Sequence, residues 1–487
     1  VACIINVGLF PLHHEEPRRG IVALEMLYSH DYLQPTVLME PYFKKPPLHN
    51  WLTLLFSGLF EGVNEVSLRL PSVFMSLLTA LAIYLLSRRF IGERRAIFSS
   101  LIFLTTWTIL IGYSTKCEPD VTFTFFVFLS IALWYYLFEK GKRNLAWVSG
   151  YLFSSFAFLT KGIPGFAFFL ISAFIALFIR KELKSFLSFE SIVGIVVGSL
   201  PVAIWMFSIP FEEAISSLIG EVTSRSLTSY DFFHALKGIF SFPFRYMAAL
   251  FPWSFVVLFY FMKDRERFGR LFEDKFLRFV ALVVVLNSLI YMLSPGTRLR
   301  YLMPIFPFVS IIFACILSDI HLERKRAKRI VQTFIDLLLI LGIMSGLLIM
   351  GDNYHLVVYT IIFLAFAYFI HYYVFKRVES ENIVVLVSLC FFLIRGFYSA
   401  YYVPISAFKY PDVRGVAKRI VDVVDGRRLE TKTNYLQLCF YVEKFIGKPL
   451  RFNPNPDKGV LFLTENPEGR VVEKFSLGKH KFYLCRF

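Results

Sequence analysis

Two segments, HHEEPRRG at residues 13–20 and PTVLMEPYFKKPPLHNW at residues 35–51, gather ionisable side chains in a chain that is otherwise nearly continuous apolar helix. They hold adjacent carboxylates (Glu15, Glu16), adjacent arginines (Arg18, Arg19) and adjacent lysines (Lys44, Lys45). Lysine and arginine are fixed cations suited to phosphate. A carboxylate beside them can act as general base on an acceptor hydroxyl, or can hold a cationic group or a metal. Ionisable residues in or beside a membrane are functional candidates by default. Others of the same type are Lys116, Glu118 and Asp120 in KCEPD, Lys161 in LTKGIP, and Arg298 and Arg300 before Tyr301 in RLRY. Together they suit transfer of a group from a lipid phosphate at the membrane surface. Glu15, Glu16, Glu118 and Asp120 are the acidic candidates for a catalytic role. Glu16, Arg18, Lys44, Lys45, Lys116, Glu118, Lys161, Arg298, Arg300 and Tyr301 are the expected substrate contacts. His13, His14 and His49 supply a candidate divalent-metal site, with His14, Glu15 and His49 its expected members.

The elements that must position these residues follow from composition. Hydrophobic residues make up 56% of the chain and charged residues 18%, below the ~25% usual for soluble domains; Phe alone occurs 57 times. A membrane helix needs ~20 mostly apolar residues, and the chain offers many such runs. They lack period-two alternation, which excludes a β-barrel. The fold class is therefore all-α and polytopic. Spans are expected near 68–87, 96–113, 120–138, 145–160, 163–179, 190–208, 244–262, 277–294, 301–318, 330–350, 355–375 and 383–403. The opening VACIINVGLFPL is half a span long and reads as the end of a first helix, with a cleaved signal peptide as the rival reading. Counting it gives 13 spans and puts the termini on opposite sides.

Loop charge sets the orientation. Loops at 88–95, 139–144, 180–184, 263–270, 323–329 and 376–377 carry about five times as many Lys and Arg as those at 113–120, 159–164, 294–300 and 351–355. The positive-inside rule places the first set in the cytoplasm. It also accounts for the net charge of +16 without nucleic acid. Residues 13–67, 209–243 and the tail after 403 then face outward. Tyr42, Phe43 and Trp51 read as interface aromatics, and Pro46 and Pro47 as a rigid turn before a helix at 48–60. In the tail, 411–424 has helical spacing, while 459–465 and 480–487 alternate as strands. A small mixed α/β outer domain at 404–487 is expected beside a transmembrane domain at 1–403. A disulfide between Cys439 and Cys485 is chemically permitted there.

The run EEPRRGIVALEMLYSHDYLQP followed by PYFKKPPLHNW resembles the first outer loop of bacterial GT-C glycosyltransferases of the aminoarabinose lipid A transferase and protein mannosyltransferase-like family. KCEPDVTFTFF (116–126), LTKGIPG (159–165), FPW (251–253) and RYLMPIFP (300–307) extend the resemblance in order. It implies a GT-C fold, a polyprenyl-phosphate (undecaprenyl-type) monosaccharide donor and an outer-leaflet acceptor, typically lipid A. It also implies a bacterial inner-membrane protein with its site on the periplasmic face. Glu15 takes the family's catalytic acidic position, Glu16 and Arg18 match its Glu and Arg, and Asp120 matches a second acid. Lys45 and Lys161 match its lysines. Two departures stand out: Glu15 replaces Asp, and Lys44 replaces the Glu before Lys45. The second puts any metal site using that Glu in doubt and suits an acidic sugar. A uronic-acid or hexose transferase acting on lipopolysaccharide core or protein is the alternative within the enzymes. A lipid or solute transporter and a membrane scaffold are the alternatives outside them. Glu15 and Glu16 could also serve only as helix caps.

Overall fold

A computed structural model describes residues 2–224, 232–263, 272–292, 298–318 and 382–487, with the single positions 269, 320 and 336. The expected spans at 330–350 and 355–375, and the loops at 323–329, 351–355 and 376–377, lie outside the described residues. Within them, five helices are long and apolar enough to cross a membrane: Glu65–Ile91, Asp120–Glu139, Lys275–Met292, Arg300–Leu317 and Ile383–Ala400. Two bent pairs raise the number to seven: Phe189–Gly198 with Leu200–Phe207, at 41°, and Leu236–Ala249 with Trp253–Met262, at 105°. The chain is thus a helical multi-pass membrane protein, and the count of 13 is not reached among the described residues.

Two expected spans are corrected. The span at 96–113 is interrupted: a helix Glu93–Thr105 ends at Thr106 in extended backbone, and a π-helix Thr108–Tyr113 follows. The span at 244–262 turns through a near-right angle where Pro252, which has no N–H, stops the helix. The two breaks satisfy each other. Trp107 N–H donates to the Phe251 carbonyl (2.8 Å) and Thr108 Oγ1 to the Ala249 carbonyl (2.7 Å). The Trp253 indole donates to Thr105 Oγ1 (3.1 Å). Freed backbone groups at membrane depth cost several kcal/mol each unless paired, so a broken helix persists where a second break faces it. The expected helical remnant at the N-terminus is also corrected: residues 2–9 form turns.

Helix Arg143–Lys161 carries Lys161 at its last position. It approaches Phe189–Gly198 closely because Gly194 and Gly198, four apart, face Trp147 and Tyr151. A β-carbon at either glycine would meet atoms at 2.7 Å or less. This is small-residue packing, in which backbone proximity replaces the hydrophobic effect that lipid cannot supply.

The elements outside the spans sit on this bundle. Helix α1 (Glu16–Ser29) and helix α2 (Leu48–Leu59) flank a two-stranded hairpin, Thr36–Val37 with Glu40–Pro41. The C-terminal unit has a five-stranded sheet. Its strands are Leu429–Thr431, Arg451–Phe452, Leu461–Thr464, Arg470–Leu477 and His480–Arg486, which we label β3 to β7 in chain order after the hairpin strands β1 and β2; they lie in the order β4-β3-β5-β7-β6. Helices Val413–Val424 and Leu436–Ile446 cover it. Cys439 and Cys485 are separate buried thiols.

Leu12, Ile21, Ala23 and Leu24 share one core with Leu438, Phe440 and Tyr441, so the C-terminal unit is anchored on α1. This interface buries two acids, Glu25 and Glu443. Burial first, and the Glu25 charge second, push the Glu443 carboxyl well above the usual carboxylate range. Burial raises Glu25 as well. The Oε2 atom of each has no hydrogen-bond partner among the described residues, and we expect one proton to be shared between the two carboxyls. A carboxyl whose folded pKa is raised stabilises the fold at low pH, and that contribution is lost as pH rises through the folded value. Glu443→Gln, a permanent donor to Glu25, is expected to flatten the decline in melting temperature between about pH 5 and 9. Parallel melting curves for wild type and variant in detergent would refute the shared proton.

Candidate active site

The first outer loop enters α1 through Glu15 and Glu16, with Pro17 fixing the first turn. Glu15 occupies the N-cap but makes no capping bond. Its carboxylate pairs with Arg18 and faces a cavity of about 190 Å³. Capping alone therefore does not account for Glu15. The cavity brings together residues from six separate stretches of chain. Glu15, Arg18 and Arg19 come from α1, and Tyr42, Lys44 and Lys45 from the turn before α2. Glu118 and Asp120 come from the start of helix Asp120–Glu139, and Lys161 from the end of its neighbour. Arg298, Arg300 and Tyr301 come from the head of another span, and Glu221 from helix Phe211–Thr223.

Ion pairs organise this lining. Lys161 Nζ donates to Asp120 Oδ1 (2.5 Å) and stands 4.4 Å above the Tyr301 ring. Arg300 Nη1 donates to Glu118 Oε1 (3.0 Å), and Lys45 Nζ donates to Glu221 Oε1 (2.8 Å). Arg18 and Arg19 lie over the Tyr42 ring at 5.7 and 5.6 Å. The Nε atoms of Arg19 and Arg300 are buried without a partner. Seven lining side chains are basic and four acidic. Burial, with the Asp120 charge next, raises the Glu118 carboxyl above its ordinary range, although Arg300 and Arg19 oppose this. The site therefore holds an excess of fixed cations in a half-enclosed space, the arrangement that stabilises an oxyanion.

Several expected contacts lie elsewhere. Glu16 is 1% exposed and serves structure: both oxygens are held by Arg69, through Nε (2.8 Å) and Nη2 (2.7 Å), and Oε1 also accepts the Cys117 N–H (3.0 Å). Although burial pushes the Glu16 carboxyl up, Arg69 more than offsets it and holds the group far below the usual range. Lys116 and His14 line a second, separate cavity. His49 is a core residue, its Nδ1 3.2 Å from Thr122 Oγ1 and its Nε2 3.9 Å from Cys117 Sγ. Burial and the Arg19 charge lower its pKa to about 3, so the ring is neutral. His14, Glu15 and His49 do not assemble, and among the described residues no group of three or more His, Cys, Asp or Glu could hold a metal. Tyr42 lines the first cavity, and Phe43 is buried against Phe158 and Trp205, so neither belongs to an interface belt.

Residues 44–205 match the family model of dolichyl-phosphate-mannose-protein mannosyltransferases. An uncharacterised protein of Aquifex aeolicus is 30% identical over 66% of this chain and 62% of its own length. The undecaprenyl phosphate-α-4-amino-4-deoxy-L-arabinose arabinosyl transferase of Pseudomonas paraeruginosa is 27% identical over 62% of this chain and 56% of its own. The chain thus spans less than two thirds of the length of these relatives. The crystal structure of ArnT from Cupriavidus metallidurans bound to undecaprenyl phosphate superposes with a TM-score of 0.71. It covers 99% of this chain and 96% of that one, at 15% identity. The chain therefore shares the fold of that transferase.

Within that fold, three charged residues lie outside the motifs of the sequence: Arg69, Glu221 and Arg395. Arg69 sits in VSLRLPSV, and a lone arginine in an apolar span was the available signal. Glu221 reaches Lys45 across 176 residues and left no local trace. Arg395, in a span likewise, is taken up below.

Proposed function

We propose that this chain transfers a monosaccharide from a polyprenyl-phosphate donor to an acceptor at the outer leaflet of the bacterial inner membrane. The best reading of sugar and acceptor is 4-amino-4-deoxy-arabinose and lipid A. The periplasmic face would carry the site, with residues 1–403 as the catalytic unit and 404–487 as an outer domain. The observation that carries the reading is the cation-rich cavity built from distant loops, with two buried guanidinium Nε atoms awaiting acceptors. The names of the arabinosyl transferase relatives support the donor class.

In the proposed reaction the acceptor oxygen attacks the anomeric carbon, and the bond from that carbon to the donor phosphate oxygen breaks. The polyprenyl phosphate leaves with the electron pair, and the configuration inverts. Lys45, Lys161, Arg19 and Arg300 neutralise the charge developing on the phosphate. Glu15 takes the proton of a hydroxyl acceptor. With a phosphate acceptor the nucleophile is already anionic, and Glu15 steers it or holds the donor amine. Asp120 is a positioning residue that aims Lys161.

Turnover of a lipid-linked donor in membranes tests this. Lys45→Ala is expected to lose about 100-fold or more. Glu15→Gln loses as much with a hydroxyl acceptor and far less with a phosphate acceptor. Wild-type rates for both variants on every acceptor would end the assignment. A uronic-acid donor is the second reading, favoured by Lys44 in the cavity lining. The mass added to lipid A separates a pentosamine from a hexuronic acid.

A further inference from the structure

A larger cavity, of about 370 Å³, is lined in part by two of the stretches of chain that line the first. His14 lines the larger cavity and the next residue, Glu15, the smaller; Lys116 lines the larger, and Glu118, two residues on, the smaller. Glu16, which continues the first of these stretches, accepts the Cys117 N–H of the second (3.0 Å) and is held by Arg69 of helix Glu65–Ile91.

Among the described residues the larger cavity carries no carboxylate. Its charged and titratable lining is Lys116, Arg395, His13, His14 and Arg69, of which Arg69 is committed to Glu16. Arg395 is 3% exposed; its Nη2 donates to Thr115 Oγ1 (2.9 Å), while Nε and Nη1 have no partner. A buried guanidinium with two open donors is costly unless an anion completes it. Open N–H groups on such a fixed cation make charge-assisted hydrogen bonds to a phosphate or carboxylate oxygen. Tyr398 and Tyr402, stacked at 5.1 Å, continue the lining with ring faces and hydroxyls. Such a mixture of apolar planes and polar tips suits a ligand that is itself amphipathic, as a sugar ring is.

We propose that this cavity is a second anion site, taking the phosphate or carboxylate of a saccharide headgroup, and that it seats the acceptor while the smaller cavity seats the donor phosphate. Its role as acceptor site rests on the transfer reaction proposed above; the anion binding does not. Glu15 lines the smaller cavity and its neighbour His14 the larger, so the two sites adjoin along the chain.

The test uses the full chain in phosphatidylcholine nanodiscs, titrated with glucosamine 6-phosphate, with glucuronate and, separately, with undecaprenyl phosphate. Saturable binding of at least one sugar anion is expected. Arg395→Gln should weaken it about tenfold or more, as the loss of a charge-assisted hydrogen bond predicts, while undecaprenyl phosphate affinity stays unchanged. Lys116→Met, away from the Arg395 helix, should weaken it in the same direction and carries the test if Arg395→Gln melts early. No saturable binding, or binding indifferent to both variants, overturns the site. Loss of sugar-anion binding on exchange into phosphatidylglycerol nanodiscs would assign the cavity to bulk lipid headgroups and overturn the saccharide. Binding that responds to Arg395→Gln in a chain without transferase activity would keep the site and remove the function proposed above.

Discussion

Asp120→Asn is expected to lower sugar transfer about 100-fold or more while the protein remains folded. Asp120 is 1% exposed and Lys161 9%, and their ion pair fixes Lys161 Nζ above Tyr301 at the cavity wall. Asparagine keeps the shape and one acceptor oxygen but removes the charge. Lys161 is then a buried cation with no counter-ion beyond a neutral amide, and breaking such a pair on one side costs about 3–5 kcal/mol. Part of that cost appears as a lower melting temperature and part as a displaced lysine. Lys161→Met alone should be similarly inactive. The double variant should be no worse than Lys161→Met, because a residue acting only through its partner adds nothing once the partner is gone. Transfer rates for the two single variants and the double variant, with melting temperatures alongside, make the measurement. Additive losses would give Asp120 an independent role at the reacting atoms, and a wild-type rate for Asp120→Asn would remove it from the site.

Arg69→Met is expected to cost about 3–5 kcal/mol of stability, the largest single effect outside the cavity. Arg69 donates to both oxygens of Glu16 and to the carbonyls of Val7 (2.7 Å), Phe10 (2.8 Å) and Pro11 (3.2 Å). It therefore ties a membrane span to the N-terminal segment and to the first turn of α1. The pH dependence gives the sign. In the wild type the depressed Glu16 carboxyl contributes stability above its unfolded pKa, and this is lost as pH falls toward the folded value. Without Arg69, burial is opposed only by His13 and by the His13 and Cys117 N–H groups, and the Glu16 pKa rises. The variant should then gain stability on acidification where the wild type loses it. Adding Glu16→Gln to Arg69→Met should recover part of the loss at neutral pH, because no buried charge is left unpaired. Melting curves of the three proteins from about pH 4 to 8 decide the matter. Equal slopes for Arg69→Met and wild type would mean that Glu16 is not held by this pair.

Much of the molecule was legible because membrane physics is severe. The run DVTFTFFVFLSIALWYYLFE reads as a span in any register, and the helix is Asp120–Glu139. Val413–Val424 and strand His480–Arg486 fall where spacing and alternation put them. The breaks at Thr106 and Pro252 were not legible as a pair, since each is stable only through the other's backbone groups. Of the charged residues, Glu15, Arg18, Lys44, Lys45, Glu118, Asp120, Lys161, Arg298 and Arg300 do share one cavity with Tyr301. Glu16 and Lys116 do not. They sit next to true lining residues, and adjacent side chains on a tight turn face opposite ways.

What the sequence by itself determined is therefore a kind of molecule: a multi-helix membrane chain whose outward loops hold cations and carboxylates in the GT-C pattern. Hydropathy and residue type suffice for that, because lipid rejects backbone and charge everywhere alike. Only the tertiary structure decided which of two neighbouring acids faces the cavity and which is spent on Arg69. It alone set a second cavity, with no carboxylate among the described residues, against two of the stretches that line the first. Those choices depend on which oxygen meets which guanidinium across tens to hundreds of residues, and no local pattern in the chain records that distance.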